Sequence, residues 1–252
     1  MSIVLALWAT AVATVLAFSA WQADQRGLDP WTMYLAGLGG LALAMLHGDG
    51  YSMLVAHEHA HATALGRSAI GAMMGAILGA GLVLRAREAD FLSYADAAAP
   101  AVALGYAIYR IGCFLNGCCF GTETDLPWAV TFNMGSEAFA AQLGAGLIPA
   151  DAHRTLPLHP TQIYHAIFAA VVFLALSREK AKIPGQLFSM ALIMYGGGRF
   201  ALEFLRGDSM PAIGILDANQ IAAAAMFCTG AVLLKYVSKQ TNKRTSGSGL
   251  AS

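Results

Sequence analysis

Charge is scarce in this chain. Asp, Glu, Lys and Arg make up 12% of its 252 residues, against about a quarter in an ordinary soluble domain. With 57% hydrophobic residues and a mean hydropathy of +0.57, this excludes a water-soluble globular composition and indicates a membrane protein. Net charge is lacking as well: 15 basic residues balance 15 acidic ones, so nothing points to a nucleic-acid partner. Cysteine is sparse, four in all, with three inside seven residues, which argues against a disulfide-framed secreted domain. The fourth, Cys228, stands alone in AAAMFCTGAVLL and reads as a small buried hydrophobe. No basic stretch precedes the first apolar segment, so that segment reads as a retained helix rather than a cleaved signal peptide.

What is present is a series of apolar segments. Ser2 to Trp21 is long enough to cross a hydrocarbon core of ~30 Å as a helix. Further spans are expected at Trp31 to Leu46, Ser68 to Leu84, Phe91 to Phe120, Thr161 to Leu176, Gln186 to Leu205 and Ile215 to Tyr236. In the third, Gly71, Gly75 and Gly79 recur every four residues, a small-residue face for close helix packing. The fourth is long enough to tilt, or to break near Pro100. Thr122 to Pro160 forms a long loop whose middle, Ser136 to Leu147, reads as a short surface helix capped by Ser136. The expected organisation is one all-α domain of seven transmembrane helices over residues 1–237. Residues 122–160 form an outer lid, and 238–252 a flexible polar tail.

Basic residues orient the spans. Ten fall on one side (Arg26, Arg85, Arg87, Arg178, Lys180, Lys182, Lys235, Lys239, Lys243 and Arg244), and only Arg67, Arg154 and Arg206 on the other. Basic loops stay cytoplasmic, so the N-terminus is expected outside and the C-terminus in the cytoplasm. Two arginines remain inside apolar spans. Arg110 lies in YRIGCFLNGCCFG and Arg199 in YGGGRFALEF. An intramembrane arginine is unfavourable against lipid and faces a partner or a polar cavity. In this topology the fourth and sixth spans both run outward, so Arg110 with Asn116 and Arg199 with Tyr195 and Glu203 share the outer level. The fifth span starts there with HPTQIYH, adding His159, Gln162, Tyr164 and His165, and HEHAH (57–61) lies in an outer loop.

Paired guanidinium groups at headgroup depth suit a phosphate, held by charge-assisted hydrogen bonds. The competing reading pairs Arg199 with Glu203 one turn on; Arg110 has no carboxylate within a turn. Gly112, Gly117 and Gly121 admit close backbone approach by a ligand or a neighbouring helix. His57 and His61, four apart, are a weak alternative metal pair with Cys118 and Cys119, although a solvated loop is the commoner fate of such histidines. Cys113, Cys118 and Cys119 allow a disulfide if the helix breaks at Gly117, or a reactive thiol beside Arg110, or simple packing.

The runs Asp96 to Gly121 (DAAAPAVALGYAIYRIGCFLNGCCFG), LPWAVTF, LHPTQIYHA, YGGGRFALEFLRGD and ILDANQ resemble, in order and spacing, the prolipoprotein diacylglyceryl transferase family. The resemblance covers most of the chain from Gly27 onward and implies a multi-pass protein of the bacterial inner membrane with its active site at the outer leaflet. It implies transfer of a diacylglyceryl group from phosphatidylglycerol to the cysteine thiol of an exported prelipoprotein, without a cofactor and within membrane lipid. By position, Arg110 and Arg199 match the family's phosphatidylglycerol-handling arginines. Asn116, Gly117 and Gly121 match its signature, Tyr195 and Glu203 flank the second arginine, and His159, Gln162 and Tyr164 match a histidine-proline element. The resemblance thus implies catalytic roles for Arg110, Arg199, His159 and Tyr195, and substrate-binding roles for Asn116, Gly117, Gly121, Gln162, Tyr164 and Glu203.

Three positions depart from the family pattern. Ile70 stands where the family has a histidine proposed as base, Cys113 where it has an asparagine, and Cys118-Cys119 where it has a glutamate. These departures direct attention to Cys118 and Cys119 as candidate nucleophiles and to HEHAH as a source of a proton acceptor. They also keep two other readings in view. One is a paralogue that uses its own cysteines to move a lipid group to a different acceptor; the other is a non-catalytic membrane protein that binds phospholipid or metal.

Overall fold

The computed structural model describes the backbone of residues 3–55, 69–208, 211–213 and 216–248, and the side chains of 3–46, 72–208 and 216–240. Among the described residues there are eight helices and one two-stranded hairpin: α1 Ile3–Gln25, α2 Pro30–Val55, α3 Ala69–Ala86, α4 Phe91–Asn116, α5 Glu137–Gly144, α6 Thr161–Arg178, α7 Gln186–Glu203, β1 Pro211–Ile213, β2 Leu216–Asp217 and α8 Ala218–Ser248. Each apolar segment read from the sequence is helical. By length and composition α1, α4, α6 and residues 218–240 of α8 can cross a membrane, and shorter apolar stretches occupy Pro30–Leu46 and Ala72–Ala86. The chain is therefore an all-helical membrane protein, with four such helices among the described residues.

Local chemistry sets the helix ends. Asp29 accepts from the Thr32 amide at 3.0 Å to start α2, and its carboxyl lies below the usual range, chiefly through the Thr32 hydroxyl. Asp90 accepts from the Ser93 amide at 2.8 Å to start α4. That helix runs through Pro100 without breaking and stops at Asn116, short of Phe120, because Gly117 takes a left-handed φ of 68° and returns its amide to Cys113 and Phe114. Residues 238–248, expected as a flexible tail, continue α8. Their lysines, glutamine and arginine favour a helix once the apolar half has nucleated it.

Two glycines of the expected small-residue face bring α2 and α3 together. A Cβ at Gly75 would strike the Leu43 carbonyl, and one at Gly79 the Gly39 carbonyl, so the two backbones touch. Gly71 lies outside the described side chains. At one end of the bundle, buried Asp96 of α4 accepts from the amides of Gly185 (2.9 Å) and Phe188 (2.7 Å), satisfying the N-terminus of α7 from a neighbouring helix. The same end holds the α1–α2 and α3–α4 turns, joined by Arg87 to Asp29 at 3.4 Å.

The other end is covered by residues 122–160. Ser136 caps α5 as expected, accepting from the Phe139 amide at 3.2 Å. Phe120, Phe132, Ala138 and Leu158 form a small core, with Phe114 of α4 packed against it. Val130 and Leu158 exchange backbone hydrogen bonds, and Thr155 and Gln142 accept the amides of Phe132 and Leu156. This long loop is thus an internally bonded cap over the end of α4.

Candidate active site

The turn after α4 is the junction that assembles the site. Gly121 donates its amide to the His159 carbonyl at 3.1 Å, Thr122 to Leu205 at 2.9 Å, and Gly207 donates to Phe120 at 3.0 Å. The chain leaving α4 is held between the segment entering α6 and the segment leaving α7. Gly121 is required there because a Cβ would meet the His159 backbone and the Leu205 carbonyl. Below it, Thr161 and Gln162 at the start of α6 donate side-chain hydrogen bonds to the carbonyls of Cys119 (2.7 Å) and Cys118 (2.8 Å). These bonds fix α4, α6 and α7 against one another.

Inside that junction the two arginines converge on one oxygen. Arg110 Nη2 donates to the Tyr106 hydroxyl one turn back on α4, and Arg199 Nη1 reaches the same hydroxyl at 3.4 Å. The Arg110 guanidinium also lies 4.8 Å from the Tyr106 ring centre. Tyr195 and His165 stand edge-on against that ring, at 5.3 and 6.3 Å between centroids. Both arginines are buried.

Their charges are balanced differently. Arg199 pairs with Glu203 at 3.2 Å, so the competing sequence reading of an internal ion pair is realised. Glu203 also receives Arg206 Nη1 at 3.4 Å and Asn219 at 3.0 Å. Arg206 turns its other face to Asp208, with bonds of 2.8 and 2.7 Å. Burial disfavours its charge, but the bonds to Asp208 and the surrounding negative groups outweigh this and hold Arg206 above the ordinary arginine range. Arg110 has no ion pair among the described residues, and its Nε and Nη1 are buried without a hydrogen-bond partner. A buried guanidinium with two unpartnered donors carries an uncompensated cost of burial.

A second group lines the edge of the cap. His159 Nδ1 lies 3.2 Å from the Tyr164 hydroxyl, which also accepts from Trp128 Nε1 at 2.7 Å. Tyr164 and His159 are therefore tied to the cap, and Gln162 is committed through its amide nitrogen to Cys118. Gln162 Oε1 and His165 Nε2 are buried without a partner. Asn116 is half-buried at the last position of α4. Gly117 is packed against Ser136, where a Cβ would lie 2.6 Å from the serine's. The two signature glycines thus admit protein, not an open ligand path.

All four cysteines are free thiols. Cys113, Cys118 and Cys119 place their sulfurs within 4.8 Å of one another. Cys228, expected to be buried, is exposed on α8; an apolar helix face turned outward suits a lipid environment. His57, Glu58, His59, His61 and Ile70 have their side chains outside the described residues, so the alternative metal pair and the departure at Ile70 find no test here. Residues 57–61 also satisfy the His-Glu-x-x-His spacing.

The structure brings Arg110, Arg199, Tyr195 and Glu203 to one cluster and His159, Gln162 and Tyr164 to its neighbour. Sequence reasoning missed Tyr106, which its place four residues before Arg110 puts on the same helix face. It also missed Arg206 and Asn219 as partners of Glu203, for which spacing gave only Arg206 a hint.

Membrane-length helices that bury Arg110 and Arg199 together, with Arg110 in no ion pair among the described residues, define a helical membrane protein with a buried basic cluster. The family model described as "Prolipoprotein diacylglyceryl transferase" matches residues 2–236. The chain belongs to the prolipoprotein diacylglyceryl transferase family. Among proteins named phosphatidylglycerol–prolipoprotein diacylglyceryl transferase, that of Clostridium tetani is 39% identical over 152 residues, covering 60% of this chain and 55% of that one. A Clostridium perfringens protein of that name is 35% identical over 179 residues, covering 70% and 64%. That of Bordetella avium is 29% identical over 214 residues, covering 82% and 75%. The matched region thus spans less than two thirds of the two clostridial relatives' own length.

Proposed function

We propose that this protein transfers a diacylglyceryl group from phosphatidylglycerol to the cysteine thiol of an exported prelipoprotein. The observation that carries this reading is Arg110, a buried cation with two free donors beside a second arginine, in a chain of this family. The lipid phosphate supplies the missing anion. Arg110 holds it by charge-assisted hydrogen bonds, with Arg199 reaching the same place through Tyr106.

In the reaction the acceptor sulfur forms a bond to the glyceryl carbon that carries the phosphate. The carbon–oxygen bond breaks, glycerol phosphate departs with the bonding pair, and a thioether remains. The arginines stabilise charge growing on the departing phosphate oxygens, which lowers the barrier rather than only tightening binding. The acceptor thiol must lose its proton. His165, edge-on to Tyr106 with an unpartnered Nε2, is assigned as proton acceptor. Tyr195, His159 and Asn116 orient the headgroup, and residues 122–160 act as the lid.

The basic-residue asymmetry supports seven spans in a bacterial inner membrane, N-terminus outside and C-terminus in the cytoplasm, with the site at the outer leaflet. The turns at residues 26–30, 85–90 and 179–185 carry much of the basic excess, and bonds such as Arg87 to Asp29 gather two of them at one end.

The test is transfer of labelled glycerolipid from phosphatidylglycerol to a lipobox peptide by the purified protein and by Arg110→Ala and Arg199→Ala. The intact protein is expected to transfer label, and each variant to lose about 10²–10³ in rate, the usual effect of removing one donor to a developing anion. A folded protein that binds phosphatidylglycerol but transfers nothing would overturn this reading in favour of a non-catalytic lipid binder. Transfer to an acceptor other than a lipobox cysteine would point to the paralogue.

A further inference from the structure

The three clustered thiols begin one helical turn beyond Arg110, and the proposed transfer step gives them no part. Cys113 lies in the last turn of α4, while Cys118 and Cys119 follow the Gly117 cap. Adjacent residues in ordinary backbone point their side chains apart. Here Cys119 adopts a left-handed φ of 57°, rare for a residue with a Cβ, and both neighbouring sulfurs turn toward Cys113. The conformation is held from outside, since Thr161 and Gln162 bond the carbonyls of Cys119 and Cys118. Three sulfurs from two segments are thus gathered by a clamped, uncommon backbone.

We infer that Cys113, Cys118 and Cys119 form a tris-thiolate site for a thiophilic divalent metal ion of the zinc class. All three sulfurs lie within 4.8 Å of one another. Zinc–sulfur bonds of ~2.3 Å put tetrahedral ligands about 3.8 Å apart, so shifts of roughly half an ångström per sulfur close the site. Binding replaces three S–H bonds by three metal–sulfur bonds and releases three protons to solvent; no electron is transferred. Three thiolates around a divalent ion leave one net negative charge, whereas a monovalent ion leaves two. Arg110, one turn before Cys113 on the same helix side and without an ion pair, offsets a single negative charge. Charge therefore favours the divalent ion. A fourth position is left for water or another ligand. A filled site would tie the end of α4 to the turn that follows it and is bonded to the start of α6, one helical turn beyond Arg110.

The inference does not depend on the transfer reaction and is tested without it. Full-length protein in detergent, reduced and stripped with a chelator, is titrated with cobalt(II) as the zinc probe. Thiolate-to-cobalt charge-transfer absorption is expected to saturate at one equivalent and to disappear when zinc is added. Of the four thiols, only Cys228 should then react with a thiol reagent in the zinc-loaded folded protein. Cys113→Ser, Cys118→Ser and Cys119→Ser should each lose the absorption, and Cys228→Ser should keep it. No charge-transfer absorption from the folded, reduced wild type overturns the site whatever the variants do. A protein that is isolated two hydrogens light and binds cobalt no better once reduced overturns it in favour of a disulfide.

Discussion

At the scale of single residues, Tyr106 and Arg110 decide how the site works. One phenol oxygen receives both guanidinium groups, so it sets the spacing of two like charges that would otherwise separate. Tyr106→Phe keeps the ring that Arg110 stacks on and removes the shared acceptor. Because hydrogen bonds to charged groups contribute about 1.5–3 kcal/mol, a loss of tenfold or more in kcat/KM is expected, with the fold retained by circular dichroism. His165→Asn separates the proton role from packing. It should lower kcat with little change in KM and move the acid limb of the pH–rate profile, whereas a packing role would leave that profile in place. The arginines were legible in the sequence because a charge inside an apolar run needs a reason. Tyr106 was not, since an aromatic residue on a membrane helix is ordinarily packing.

At the scale of elements, two contacts hold the helices in register. Asp96 bonds two amides of α7 from inside α4, far away in sequence. Asp96→Ala leaves both amides buried and unpartnered, and a loss of about 2–3 kcal/mol is expected. Thermal unfolding in detergent reads it, with Asp96→Asn falling between wild type and alanine. The second contact is the bare backbone seam of α2 and α3. Gly79→Leu should destabilise by about 1–3 kcal/mol, because the side chain must displace the Gly39 carbonyl. An unchanged melting temperature would mean that the two helices do not touch as described. The glycine period announced a close-packing face on α3, and the structure supplied α2 as its partner; Ser136 likewise announced the start of α5. No local pattern announced Asp96, whose partners lie beyond α5 and α6 in the chain.

At the scale of the whole molecule, the proposed orientation is open to a direct topology test. Reporters at Glu88 and Glu179, in the basic turns, should read cytoplasmic, and one at Asp151, in the cap, should read external. Cap and basic turns on the same side would sink the proposed orientation and the outer-leaflet site with it. The cap itself illustrates how distant pieces cooperate. Its small core of Phe120, Phe132, Ala138 and Leu158 fixes the strand that bonds His159 and Leu205, and so positions α6 and α7 around the arginines.

Composition and periodicity by themselves determined the helical membrane class, the places of the helices, the close-packing face of α3 and the two arginines. Each of these follows from local rules: apolar length against bilayer thickness, small residues at helical spacing, and the unfavourable placement of charge in hydrocarbon. Only the tertiary structure decided which arginine is satisfied and which is not. Arg199 finds Glu203 within its own helix, yet the fate of Arg110 depends on its neighbours, and none of the described residues supplies it a carboxylate. It also decided that three thiols meet, because that rests on one left-handed residue clamped by the start of another helix. Such features depend on the sum of contacts across the fold, and no window of sequence contains that sum.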